Sequence, residues 1–134
     1  MLIALLPLFS LQKAQAQENL TANEKLVAYV ETKIDKRVGR GECWDLVANG
    51  LNRINAQWTP PGDFGKKFKD GENLKPGDII ELLKVKYTWG GRTSRHYAIV
   101  IENKGEGKLK IADQNVNGVR KVKYRDYDLN HIKR

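Results

Sequence analysis

The sequence predicts an α+β domain in which two N-terminal helices cover one face of an antiparallel β-meander. Three observations carry this reading. Apolar residues recur at three- and four-residue steps through the first part of the chain and give way to short apolar runs of strand length in the second. Turn signals rich in Gly, Pro and Asn separate those runs. Helices precede strands instead of alternating with them, which is an α+β order. With 134 residues, 40% of them hydrophobic, the chain can build one core but not two.

Residues 1–16 stand apart from the rest. Leu2 to Leu11 is apolar except for Ser10, and Ala14-Gln15-Ala16 has the small-x-small form that signal peptidase reads. The run is too short to span a bilayer as a helix. Residues 1–16 are therefore read as a signal peptide and 17–134 as a single exported domain, secreted or periplasmic, with no stable membrane insertion once the leader is removed.

Thr21-Ala22-Asn23-Glu24 has the form of a capping box, and Leu26, Val27, Val30, Ile34 and Val38 follow at helical spacing. This predicts a first helix running to Val38 and ending at Gly39. A turn through Arg40-Gly41 leads to Cys43, after which Leu46, Val47, Gly50, Leu51 and Ile54 predict a second helix with the cysteine in its first turn. Asn55 to Leu74 has no period, and Trp58 to Gly65 reads as an ordered loop whose Trp58 and Phe64 plug the core edge or wall a groove. Lys75-Pro76-Gly77-Asp78 places Pro and Gly where a type II turn wants them. Strands are expected at Ile79 to Val85, His96 to Glu102, Gly107 to Asp113 and Val119 to Tyr124. A polar loop, Lys86 to Arg95, and a hairpin turn, Asn103 to Glu106, join the first three. Tyr127 to Arg134 carries no strong signal.

The net charge of +8 draws the domain toward anionic surfaces, among which wall polymers, phospholipid and nucleic acid all qualify. Lys84, Lys86, Arg92 and Arg95, with Tyr87 and Trp89 between them, are the residues a nucleic-acid reading would use. They form a scattered basic surface without a recognised motif, and that reading is set aside. A single cysteine excludes a disulfide framework. One Cys and two separated His supply no metal site, and no cofactor is called for.

Cys43 is the candidate nucleophile, because unpaired N–H groups and partial positive charge at a helix N-terminus favour the thiolate. A thiol needs a base, and the choice is between His96 and His131. His131 lies among charged residues near the C-terminus and reads as a surface residue. His96 opens a strand and shares a face with Ala98 and Val100, whose size lets a helix come close. With the hairpin turn at Asn103 to Glu106, Val100 faces Leu109, Ala98 faces Ile111 and His96 faces Asp113, which matches apolar to apolar. Opposed residues have Cβ atoms roughly 4.5–5.5 Å apart, so Asp113 can orient the imidazole. Asn115 projects from the same face in support, and a two-residue slip would put it opposite His96. The oxyanion would be met by the Cys43 backbone N–H.

Gly41-Glu42-Cys43, Pro76-Gly77-Asp78, His96-Tyr97-Ala98-Ile99-Val100 and Asp113-Gln114-Asn115 occur in the order found in papain-like cysteine hydrolases of the CHAP and NlpC/P60 type. Within that group, Glu42-Cys43-Trp44-Asp45-Leu46 with Gln114-Asn115-Val116 most resembles the cysteine-proteinase-fold domain of fungal actin-patch proteins and related plant and bacterial sequences. The resemblance implies a thiol peptidase or amidase with a Cys43–His96–Asp113 triad but names no substrate; in a bacterium the natural one is a cell-wall, peptidoglycan-like peptide. Two departures stand out: Asp113 replaces the Glu of the CHAP pattern, and the usual closing strand after Tyr127 is absent. The alternative is a non-catalytic module that keeps the fold and holds a peptide or glycan in a groove lined by Trp44, Trp58 and Trp89.

Overall fold

The computed structural model describes residues 19–60, 63–64 and 73–133. The stretch read as a leader, residues 1–16, lies outside them. The chain forms helix α1 (Ala22–Glu31), helix α2 (Cys43–Arg53), strands β1 (Ile79–Lys86), β2 (Arg92–Gly105), β3 (Lys108–Asp113) and β4 (Lys123–Asp128), and a closing 3-10 turn at Leu129–His131. The strands make one antiparallel sheet in the order β1-β2-β3-β4. This is the two-helix, antiparallel-meander arrangement expected from the sequence.

The capping box of α1 forms, with Glu24 N–H donating to Thr21 Oγ1 at 3.2 Å and Thr21 N–H donating to the Glu24 carboxylate at 3.5 Å. The helix stops at Glu31, well short of Val38. Beyond it Asp35 takes a φ of 65°. Asp35 N–H donates to Val122 O, and Val122 N–H to Lys36 O, both at 2.9 Å. Ile34 and Val38 still pack into the core. Helical spacing therefore found the buried positions, while a backbone partner far along the chain took the bonds a longer helix would have made.

The Lys75–Asp78 turn closes as expected, with Asp78 N–H donating to Lys75 O at 3.0 Å and Gly77 at a φ of 87°, the conformation a type II turn demands of its third residue. It clips two elements together. Gly77 N–H donates to Val100 O at 2.7 Å, and the Asn23 amide of α1 donates to Pro76 O and Asp78 Oδ1, each at 2.9 Å.

Two apolar clusters flank the sheet. Leu26, Val30, Leu46, Val47 and Leu51 of the helices pack against Tyr97, Ile99, Ala112 and Val122. On the other side lie Ala98, Val100, Leu109 and Ile111, with Leu74, Ile80, Tyr127 and Leu129 against them. The helices thus cover the Tyr97–Ile99 face, not the His96–Ala98–Val100 face that the sequence reading assigned to them. Tyr97 to Val100 is buried without a break, and a strand buried on both faces reads as a continuous apolar run that does not say which face meets a helix.

The β2–β3 register also differs from expectation. Val100 lies opposite Ile111 instead of Leu109, and Asn103 lies opposite Leu109. Bulges after Val100 and after Asn103 each place an extra residue in β2. The turn is the tight Glu106-Gly107 pair, with φ of 56° and 79° as a type I′ hairpin requires, instead of the four residues Asn103 to Glu106. The net slip is two residues, which keeps every side chain on its face. At the other end of β2, the strand begins at Arg92, so the expected polar loop shrinks to Tyr87–Gly91. The fourth strand starts at Lys123 because Val119 closes a tight turn with Val116 and Val122 bridges to Ile34.

Candidate active site

Helix α2 begins at Cys43 because the residues before it are fixed from three sides. Gly41 has a φ of 88°, and a Cβ there would come within 2.7 Å of Arg120 Cβ, so the chain passes only as glycine. Buried Asp45, in the first turn, accepts from Arg40 N–H at 2.8 Å and from Glu42 N–H at 3.4 Å. Buried Gln114 accepts from Val38 N–H at 2.8 Å through Oε1, and its Nε2 donates to Val38 O at 3.0 Å and Glu42 O at 2.8 Å.

On the sheet side, β2 pairs with β3 only from Ile99 onward, whereas its pairing with β1 continues through Tyr97, His96 and beyond. The two strands part at His96 to Ala98. The start of α2 sits at this opening, where the His96 ring and the Tyr97 and Trp44 backbone N–H groups surround the half-buried Cys43 thiol and favour its ionised form. His96 Nε2 lies 2.8 Å from Asp113 Oδ2, so the nitrogen left for the sulfur is Nδ1. With the slipped register, Asp113 lies diagonally from His96 instead of directly opposite, a distance that a long side chain spans.

Asp113 is 1% exposed. Arg125 Nε donates to its Oδ1 and Oδ2 at 3.0 and 3.1 Å, and Arg125 Nη2 donates to Oδ2. Burial alone would push the Asp113 carboxyl up, but its bonds from His96 and Arg125 and their charges hold it below the usual carboxylate range. Burial pushes His96 down; hydrogen bonds to Asp113 and Cys43, with their charges, override this and raise it to about 9. Burial pushes the Cys43 thiol up, yet the bond and charge of His96 and the two backbone donors bring it below its ordinary value. The directions agree: the surroundings of Cys43 and of His96 each favour the charged form.

The structure therefore brings Cys43, His96 and Asp113 together. It places Asn115 elsewhere: its amide donates to Glu42 Oε2 at 2.8 Å, and Glu42 also accepts from Arg120 Nη1 at 2.6 Å. Asn115 has a φ of 64°, because the chain leaves β3 there to form the Val116–Val119 turn, and this turns its side chain toward Glu42, the residue preceding Cys43. His131 is exposed, 3.7 Å from Asp128.

Of the three groove tryptophans, Trp44 and Trp58 meet edge to face at 5.7 Å and join Phe64 and Tyr97 in a cluster against the helix-side core. The plug reading of Trp58 and Phe64 describes this packing. Trp89 does not share it. It stacks on Tyr87 at 5.1 Å and 9° in the β1–β2 turn and is 69% exposed.

Arg125 and Gln114 were missed. Arg125 lies opposite Ile111 and so shares the face of Asp113, but placing the fourth strand too early hid that alternation. Gln114 stood inside the quoted Asp113-Gln114-Asn115 motif, and its neighbours drew the assignment. Among the described residues no three His, Cys, Asp or Glu side chains are grouped to hold a metal ion.

A family model described as the AIM3/BBC1 cysteine proteinase-fold domain matches residues 11–134. The chain belongs to this family. The match begins inside the stretch read as a leader. A curated relative, altered inheritance of mitochondria protein 3 of Debaryomyces hansenii, is 28% identical over 90% of this chain. The alignment spans 16% of that protein's length, so the domain corresponds to one part of a much longer chain. Among solved structures, the crystal structure of Ly7917 matches with a TM-score of 0.54 at 18% identity, covering 84% of this chain and 60% of that one. The crystal structure of Ly7917 with the hydrolyzing product of MDP matches with the same TM-score and coverage at 17% identity. At these identities the likeness is one of fold. The AIM3/BBC1 domain described here has the cysteine-proteinase fold, with its helices and sheet meeting at the Cys43–His96 opening.

Proposed function

We propose that this AIM3/BBC1 domain is a cysteine hydrolase that cleaves an amide bond in a peptidoglycan-like peptide through a thioacyl intermediate. The observation that carries the reading is the continuous row of Cys43, His96 and Asp113, with the thiol held low and the imidazole held high. The Cys43 thiolate attacks the carbonyl carbon, forming a C–S bond and placing negative charge on oxygen, which the Cys43 backbone N–H meets at the helix start. His96 Nδ1 gives its proton to the departing amine as the C–N bond breaks. Water, deprotonated by His96, then attacks the thioacyl carbon; the C–S bond breaks, and the carboxylic acid leaves with the thiolate–imidazolium pair restored. Asp113 holds the ring and stabilises its charge throughout.

The substrate class draws support from Ly7917, which was crystallised with the hydrolyzing product of MDP, and from the net charge of +8, which favours anionic polymers. Action on such a polymer goes with export of the domain. The test is incubation of the wild-type chain and Cys43→Ala with MDP and with a soluble peptidoglycan digest, followed by mass spectrometry for products that have gained one water. Cleavage by the wild type alone is expected. Equal binding of the digest by both, with cleavage by neither, would replace the hydrolase with a binding module.

A further inference from the structure

The proposed reaction gives no part to Arg125, yet Arg125 makes more hydrogen bonds to Asp113 than His96 does. The register explains how it gets there. Arg125 is paired with Ile111, two residues before Asp113 on the same face, so its side chain reaches the carboxylate along a diagonal. His96 reaches the same carboxylate along the opposite diagonal from β2. Lys123 is directly opposite Asp113, but its ammonium is bonded to Asp35. The cation that meets Asp113 is thus the one whose planar fork can engage both oxygens at once.

With the pair in its charged form, charges alternate along the row: thiolate on α2, imidazolium on β2, carboxylate on β3, guanidinium on β4. Without the guanidinium the row would hold one net negative charge around a carboxylate that is 1% exposed, and a buried uncompensated charge is relieved by taking up a proton. We propose that Arg125 is a positioning residue for the Cys43–His96 pair, acting through Asp113: it balances the row and fixes the carboxylate so that Oδ2 stays aimed at His96 Nε2. The other titratable groups facing Arg125 are Tyr127 on its own strand and Tyr87 at the end of β1, joined by a 2.8 Å bond from the Tyr127 hydroxyl to the Tyr87 oxygen. Burial pushes the Tyr127 hydroxyl up, which keeps it a neutral phenol near neutrality.

The inference rests on the hydrolase reading only in taking Cys43 and His96 as the reactive pair, and its test reads the thiol instead of turnover. The rate of Cys43 alkylation by iodoacetamide is followed against pH in wild type, Arg125→Gln and Arg125→Lys, with circular dichroism to confirm the fold. The acid limb of Arg125→Gln is expected to move up by about one pH unit or more, a roughly tenfold loss of rate at a fixed acidic pH. Arg125→Lys keeps the charge and gives up the fork, so its limb is expected to move in the same direction by less. An acid limb at the wild-type position in a folded sample of either variant overturns the proposal, since a merely structural role lowers stability without moving the limb. Hydrolysis without a limb shift would defeat this inference alone, and a limb shift without hydrolysis would defeat only the proposed function.

Discussion

Asp113→Asn removes one charge from the site and keeps its shape. His96 is raised from 6.5 to about 9 against the downward push of burial, a difference equivalent to about 3 kcal/mol in favour of the imidazolium. The hydrogen bond to Asp113 is the largest of the favourable contributions, ahead of that to Cys43. In the variant, burial is opposed chiefly by the thiolate, and the His96 midpoint is expected to fall by about one unit or more. The assay is a proton NMR titration of the imidazole Cε1–H signals, with exposed His131 as internal reference. Because thiol and imidazole titrate together, the midpoint belongs to the pair, and repeating the titration in Cys43→Ser isolates the Asp113 share. A midpoint still near 9 in Asp113→Asn, or one near 6.5 in the wild type, would refute the reasoning.

Two further outcomes follow from the same geometry. The raised His96 contributes stability that is fully present below pH 6.5 and lost as pH rises through about 9, while the lowered Asp113 contributes stability present above the ordinary carboxylate value and lost as pH falls through its depressed one. Urea unfolding is therefore expected to give a smaller free energy at pH 10 than at pH 6, by an amount that shrinks in His96→Gln; an unchanged pH dependence in that variant would count against the linkage. Gln114→Ala leaves the buried Val38 N–H without its side-chain acceptor and frees the Glu42 carbonyl. It is expected to cost about 2–4 kcal/mol in urea unfolding and to slow Cys43 alkylation. A normal alkylation rate would show that the loop preceding Cys43 does not depend on Gln114.

The sequence disclosed the site more fully than the fold around it. Cys43 at a helix start and His96 at a strand are local facts, written in Gly41, in the spacing of Leu46 to Leu51 and in the apolar run that follows the histidine. Asp113 was reached through an assumed hairpin turn that the structure moves to Glu106-Gly107. The partner survived because the two bulges slip the register by an even number and leave the face unchanged. The face covered by the helices was not legible, since Tyr97 to Val100 is buried on both sides. Arg125 was hidden for another reason: it lies on a mainly polar strand whose start depends on the long-range pairing of Val122 with Ile34, which no local pattern encodes. The same pairing ends α1 early.

The central claim is that Cys43 is a half-buried thiol kept ionised by His96. It is tested most directly by the rate of iodoacetamide alkylation at pH 6, in wild type and in His96→Gln, against a free cysteine peptide. The wild type is expected to react far faster than the peptide, whose thiol is almost wholly protonated at that pH, and His96→Gln to lose the excess. A wild-type thiol no faster than the peptide at pH 6, gaining reactivity only as pH rises through the ordinary thiol range, would contradict the claim.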